Sequence, residues 1–172
     1  MVGQTNLHAV TALFLDTSFA NCTLLASSGR GEVVCSHGRE LSYWSRATGL
    51  TSWQTPEPAA RLALSADAGT LLVALPDGRF LAYDTASRSV RAQFRAESSV
   101  PTALALSEDG SRFLTSSENG WVQLWETEAA RPLARLQLAE PVTARAFAPN
   151  GPGVLLGGRL GALVLWDPTT GA

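Results

Sequence analysis

An all-β fold, a β-propeller of four-stranded antiparallel blades, is what this 172-residue sequence predicts, on three observations. Short strand-like runs end in an aromatic at Tyr43, Tyr83, Trp125 and Trp166, spaced 40, 42 and 41 residues apart. Gly29, Gly69, Gly110 and Gly151 keep the same step, and so do Gly38, Gly78, Gly120 and Gly161. Each unit therefore carries two glycine turns at fixed offsets before its aromatic. A period of about 40 residues built from short strands marks a unit that cannot bury its own faces and must stack on its neighbours. The units fall at approximately 10–49, 50–89, 90–132 and 133–172, within one propeller domain or segment spanning 1–172.

The third unit shows the grammar most fully. TALALS alternates and stops at SEDGS, where Asp and Gly tolerate the backbone angles of a tight turn. RFLTSS then meets ENG, whose Asn-Gly pair favours a two-residue primed turn, and WVQLW runs back antiparallel. RLQL is the fourth strand, and TEAARP and AEP around it have the Pro and charge of connections. CTLLASSGRGEVVCSHGRELSYWSRATGLTSWQTPEP and ARLALSADAGTLLVALPDGRFLAYDTASRSVRAQFRAESS repeat the pattern and align without a gap through Tyr43 and Tyr83. VTARAFAPNGPGVLLGGRLGALVLWDPTTGA supplies three strands and no fourth. The segment Val10 to Asp16, VTALFLD, stands where an outer strand belongs and is expected to complete that last blade.

Composition excludes more than it selects. A chain that is 45% apolar and 16% charged can bury a core as one domain. No run approaches the roughly 18 apolar residues of a membrane span. The stretch Ala9 to Leu15 has no basic residue before it and ends at Asp16, so neither secretion signal nor anchor is expected. Cys22 and Cys35 both fall in expected strands, and two cysteines are too few for a disulfide framework; buried unpaired thiols in a reducing compartment, the cytoplasm, are the expectation. The thirteen basic residues are all Arg against fifteen acidic ones, for a net charge of −2, which disfavours nucleic acid as a partner.

LVLWD, VQLWE, FLAYD and LSYWS, each after a glycine hairpin, resemble WD repeats, whose units end in a Trp-Asp pair. The resemblance covers nearly the whole chain and rests most on SEDGSRFLTSSENGWVQLWE and APNGPGVLLGGRLGALVLWD. It implies a divergent propeller, because the Gly-His pair usual before the innermost strand is missing from every unit. The turn Asp that the family's buried polar network uses appears only as Asp77, with His37, Asn119 and Leu160 near its place in the other units. Propellers have 4 to 8 blades. About four WD-like repeats either close as a small ring or form an arc of a larger propeller, completed by self-association or by further blades of a parent chain.

Function on such a scaffold belongs to the loops. Arg39, Arg79 and Trp121 follow the glycine of the second hairpin, and Arg159 stands just before it in the last unit. The outer-to-inner connections reach the same face with Asp16, Phe19, Glu57, Glu97 and Glu140, beside Pro56, Pro58, Pro101 and Pro141. Arg and aromatic residues are enriched at interface hot spots, which makes this ring the expected protein-partner face. Ordinary solvated strand ends look the same in sequence. No nucleophile elbow, close Cys pair or phosphate loop is present, and Glu108 and Asp109 sit together in a hairpin turn, so no catalytic residue, metal or cofactor is expected. The reading is a non-catalytic interaction scaffold, with a quinoprotein-like propeller of enzymatic or cofactor-binding role, suggested by WSRATGLTSW and WDPTTG, as the alternative.

Overall fold

The computed structural model describes residues 21–95, 101–148, 151 and 153–170. These form fifteen strands in four antiparallel sheets, and no helix among them is long and apolar enough to cross a membrane. Blade 1 contains β1 (Leu24–Ser27), β2 (Val33–His37), β3 (Glu40–Ser45) and β4 (Gly49–Gln54). Blade 2 contains β5 (Arg61–Leu64), β6 (Thr70–Ala74), β7 (Arg79–Asp84) and β8 (Ser89–Arg95). Blade 3 contains β9 (Ala103–Leu106), β10 (Arg112–Ser116), β11 (Trp121–Glu126) and β12 (Arg131–Gln137). Blade 4 has three strands, β13 (Val142–Phe147), β14 (Val154–Gly158) and β15 (Leu163–Trp166). Within each blade the strands lie in chain order, so every pairing is a local hairpin. Val10 to Asp16 lies outside the described residues.

Blades stack in chain order because alternate side chains point to opposite faces and both faces are apolar. The inner strands β1, β5, β9 and β13 form a row in which each packs beside the next. Val34 and Leu41 of blade 1 meet Leu71, Val73 and Tyr83 of blade 2. The opposite face of blade 2, with Leu72, Phe80 and Phe94, meets Leu104, Phe113 and Trp125. Here Phe94 stacks on Phe113 at 4.9 Å and on Trp125 at 5.8 Å between centroids. Leu114, Val122 and Leu124 then meet Val142, Val154, Leu156 and Trp166. One buried polar link runs through blade 3, where Trp125 Nε1 donates to Thr115 Oγ1 at 3.1 Å.

A second device links consecutive blades at the end where the first and second strands turn. Ser65 donates to Asp67 Oδ1 (2.5 Å), which also accepts from the Gly69 amide, and Ser107 donates likewise to Asp109 (2.7 Å), which accepts from Ser111. These hydrogen bonds, first that from Ser65 or Ser107, hold both carboxyls below their ordinary range. With the turns so fixed, Gly29 N–H reaches Ala66 O at 3.1 Å and Asp67 N–H reaches Glu108 O at 3.3 Å. Gly110, at φ 70°, lies against this junction, where a Cβ would run into the Thr70 side chain.

Three local expectations are corrected by the register. The turn at Asn119-Gly120 is not a two-residue turn: Ser117 N–H donates to Trp121 O and Gly120 N–H to Ser117 O, leaving three residues, 118–120, in the loop. Blades 2 and 4 have the same loop length, through Leu75 N–H to Arg79 O and Gly158 N–H to Ala162 O. Blade 1 has the two-residue turn instead, since His37 pairs directly with Glu40 across Gly38 and Arg39. One residue fewer in the loop flips the alternation of the following strand. Trp44 rather than Tyr43 therefore occupies the repeat's aromatic place, opposite Val33 as Tyr83 is opposite Leu71, Trp125 opposite Phe113 and Trp166 opposite Val154.

The third correction concerns the cysteines. Cys22 precedes β1 and is exposed, Cys35 lies buried in β2, and the two form a disulfide with Cα atoms 5.6 Å apart. Thr23 N–H donates to Ser36 O, and that extension of the ladder lays Cys22 beside Cys35.

Candidate functional site

The loops between the second and third strands share one edge of the blades with the connections that lead from one blade to the next. Thr55 N–H donates to Arg39 O (2.8 Å), Leu138 N–H to Gly120 O (3.0 Å) and Arg159 N–H to Pro141 O (3.0 Å). Gly120 makes this closeness possible: its φ is 83°, and a Cβ there would fall on the Leu138 carbonyl.

Arg79 opens β7 between two carboxylates. Its Nε donates to Asp77 Oδ2 and its Nη2 to Glu57 Oε1, both at 2.5 Å. Asp77 in turn accepts the Arg79 amide at 3.0 Å, and that bond foremost holds its carboxyl below the ordinary range, while the Asp77 hydrogen bond raises the Arg79 guanidinium. Arg95 adds a bond from Nη2 to Asp77 O at 3.0 Å. Trp121 opens β11 at the matching place and lies half-buried, with the Arg135 guanidinium 5.1 Å from its ring centroid. Trp121 pairs with Gln137 and Gln123 with Arg135, so Arg135 is the diagonal neighbour of Trp121 on one sheet face.

The other members of the expected ring fall differently. Arg39 is exposed in the short turn of blade 1, its Nε donating to Thr55 O at 3.1 Å, and Glu40 takes the position that Arg79 and Trp121 hold in their blades. Arg159 is exposed in the turn of blade 4. Glu140 is buried, and its carboxylate accepts the amide hydrogens of Leu160 and of Ala162, the latter at 3.1 Å. It thereby performs for blade 4 what Asp77 performs within the turn of blade 2, where blade 4 has Leu160. Gly158 leaves the room for this carboxylate, since a Cβ there would overlap it. Phe19 and Glu97 lie outside the described residues.

Arg135 and Arg95 escape sequence reasoning because their roles depend on cross-strand register; alternation in RPLARLQ is the signal that places Arg135 on the face of Trp121 once the hairpin is known. The opposite edge carries a cleft of about 280 Å³ between blades 2 and 3. Asp67, Asp84, Asp109, Glu126 and Glu128 line it, with Arg91 bonded to Thr70 Oγ1 at 2.5 Å. Among the described residues no group of three His, Cys, Asp or Glu side chains is placed to hold a metal ion.

No protein-family model matches the chain. It is 22% identical over 134 residues to Protein groucho of Drosophila melanogaster, a match covering 70% of this chain and 18% of that protein. It is 27% identical over 104 residues to the pre-mRNA-splicing factor cwf17 of Schizosaccharomyces pombe, covering 60% of this chain and 31% of the relative. The chain thus spans less than a third of the length of either. Among solved structures, a chain in the crystal structure of a mitotic checkpoint complex superimposes with a TM-score of 0.56 at 20% identity, over 88% of this chain and 62% of that one. With its blade-by-blade sheets the chain has the β-propeller fold of that structure, and its Trp-terminated repeats resemble WD repeats.

Proposed function

We propose that the chain is a non-catalytic protein-interaction scaffold whose contact face is the loop edge holding Arg39, Glu57, Arg79, Trp121 and Arg159. The observation that carries this reading is the bracing of the two central side chains: Arg79 is held by Asp77 and Glu57, and Trp121 lies under Arg135. Large side chains fixed before binding lose little entropy on contact, which is the property that concentrates binding energy in few residues. The exposed Arg39 and Arg159 extend the face. Glu140 contributes by holding the blade 4 turn in place, not as a contact. The likeness to a splicing factor and to a chain of a checkpoint complex supports a role in multiprotein assemblies. The Cys22–Cys35 disulfide removes the unpaired thiols on which a cytoplasmic location was expected, and cell fractionation with an immunoblot tests whether the protein is cytoplasmic.

The experiment is affinity capture followed by titration of the recovered partner against purified chain and the variant Arg79→Ala with Trp121→Ala. Binding is expected to weaken at least tenfold with the thermal unfolding midpoint unchanged. Equal loss of folding would make these residues packing elements. A chromophore absorbing above the protein band in purified chain would replace the scaffold with the cofactor-binding propeller.

A further inference from the structure

The two ends of the row of blades present the two halves of one interface. Leu72 and Leu114 occupy the same place in β6 and β10, each one residue after the ladder partner of the repeat aromatic and so on the opposite face from it, and each is covered by the blade that follows. Leu155 holds that place in β14, and no described blade follows it. It is 42% exposed, and its ladder partner Leu165 and the adjacent Leu163 are 68% and 74% exposed. This forward face of blade 4 has no charged residue among those three and the Ala146 that pairs with Leu155.

The rear face of blade 1 is the receiving half. Leu71 with Tyr83, Phe113 with Trp125, and Val154 with Trp166 are cross-strand pairs buried against the preceding blade. The matching pair in blade 1, Val33 with Trp44, is only half-buried. Leu25 and Leu50 beside it are 65% and 38% exposed. Among the described residues, β13 makes no contact with β1 comparable to those between successive inner strands, so the chain's own blade 1 does not cover blade 4.

We propose that a second copy of this chain covers both faces, blade 4 of each copy lying on blade 1 of the other, to close an eight-blade ring. The contact continues an interface the chain already makes three times, between blades 1 and 2, 2 and 3, and 3 and 4. Unlike faces meeting head to tail generate either a closed ring or an open fibre. Two four-blade arcs give eight blades, the upper end of the usual range of about 4–8, whereas three copies exceed it. The two-fold ring also buries both apolar end faces at once, which an open chain of copies never does.

The test is the solution mass of the 172-residue chain by light scattering over a concentration series. Twice the 18.2 kDa of one chain is expected, without further growth. Leu163→Glu with Leu165→Glu is expected to halve the mass, as is Leu25→Glu with Leu50→Glu, with far-UV circular dichroism unchanged because all four side chains are exposed in the single copy. Mixing the two variants leaves one intact pair of faces and restores a two-chain mass. A wild-type mass of one chain at every concentration overturns the proposal in favour of self-closure or of blades supplied by another chain. Masses that climb beyond two chains overturn it in favour of an open fibre, and a two-chain mass that survives both variants places the contact elsewhere.

Discussion

Blades 2 and 4 obey the same strand grammar and end up in opposite environments. All five residues of β6 are buried, whereas β14 buries Val154 and Leu156 and leaves Leu155 exposed between them. The sequences TLLVA and VLLGG do not differ enough in apolar content to explain this. Blade 2 has a neighbour on each face and blade 4 has a described neighbour on one. In a repeat fold, burial of a position is set by the adjacent unit as much as by the residue itself.

The strongest way to break that comparison is to remove a large side chain from each environment. Phe113→Ala, which empties the contact between blades 2 and 3, is expected to cost about 3–5 kcal/mol in urea unfolding. Leu155→Ala is expected to cost about 0.5 kcal/mol at concentrations where the chain is a single copy. Equal losses would mean that the end face is covered after all.

The turns sharpen the comparison at a smaller scale. Blade 2 caps its second hairpin with its own Asp77, and blade 4 borrows Glu140 from the preceding connection. Glu140→Ala removes the acceptor of the Leu160 and Ala162 amides, which lie in exposed residues open to water, and is expected to cost about 0.5–1.5 kcal/mol, the net worth of such a hydrogen bond. Adding Leu160→Asp to that variant gives blade 4 the turn of blade 2 and is expected to recover most of the loss. The corresponding Asp77→Ala change, in a turn where water reaches the Asp77–Arg79 pair, is expected to cost less than Glu140→Ala, because solvent screens such a pair.

The smallest effect concerns acid. Asp67 and Asp109 have folded pKa values below their unfolded ones, chiefly because Ser65 and Ser107 donate to them. A lowered carboxyl contributes stability that is present above its unfolded pKa and lost as pH falls through the folded value. Stability should therefore decline below about pH 4, the ordinary carboxylate range. Ser65→Ala with Ser107→Ala should flatten the decline, read as the urea midpoint against pH.

The blade order and the two hairpin turns of each unit were legible from residues alone, because two-residue alternation and glycine turns are local. Arg79 and Glu57 were legible as neighbours for the same reason: the repeat places their loops on one edge. Tyr43 misled because Trp44 is also aromatic, and only the hydrogen-bonded pairing of His37 with Glu40 reveals which one points to the rear face. Glu140 read as a contact residue because its partners are 20 and 22 residues away, beyond any local pattern. Cys22 and Cys35 read as separate thiols because their meeting depends on an extra ladder bond at Thr23.

By itself, then, the sequence determined what short-range sterics and alternation dictate: about four units of antiparallel strands, two glycine turns in each, and an Arg-bearing edge. Tertiary structure decided the register of blade 1, the borrowed cap of blade 4, the brace over Trp121 and which apolar faces stay open. Those depend on contacts between residues distant in the chain, whose energies no local segment encodes.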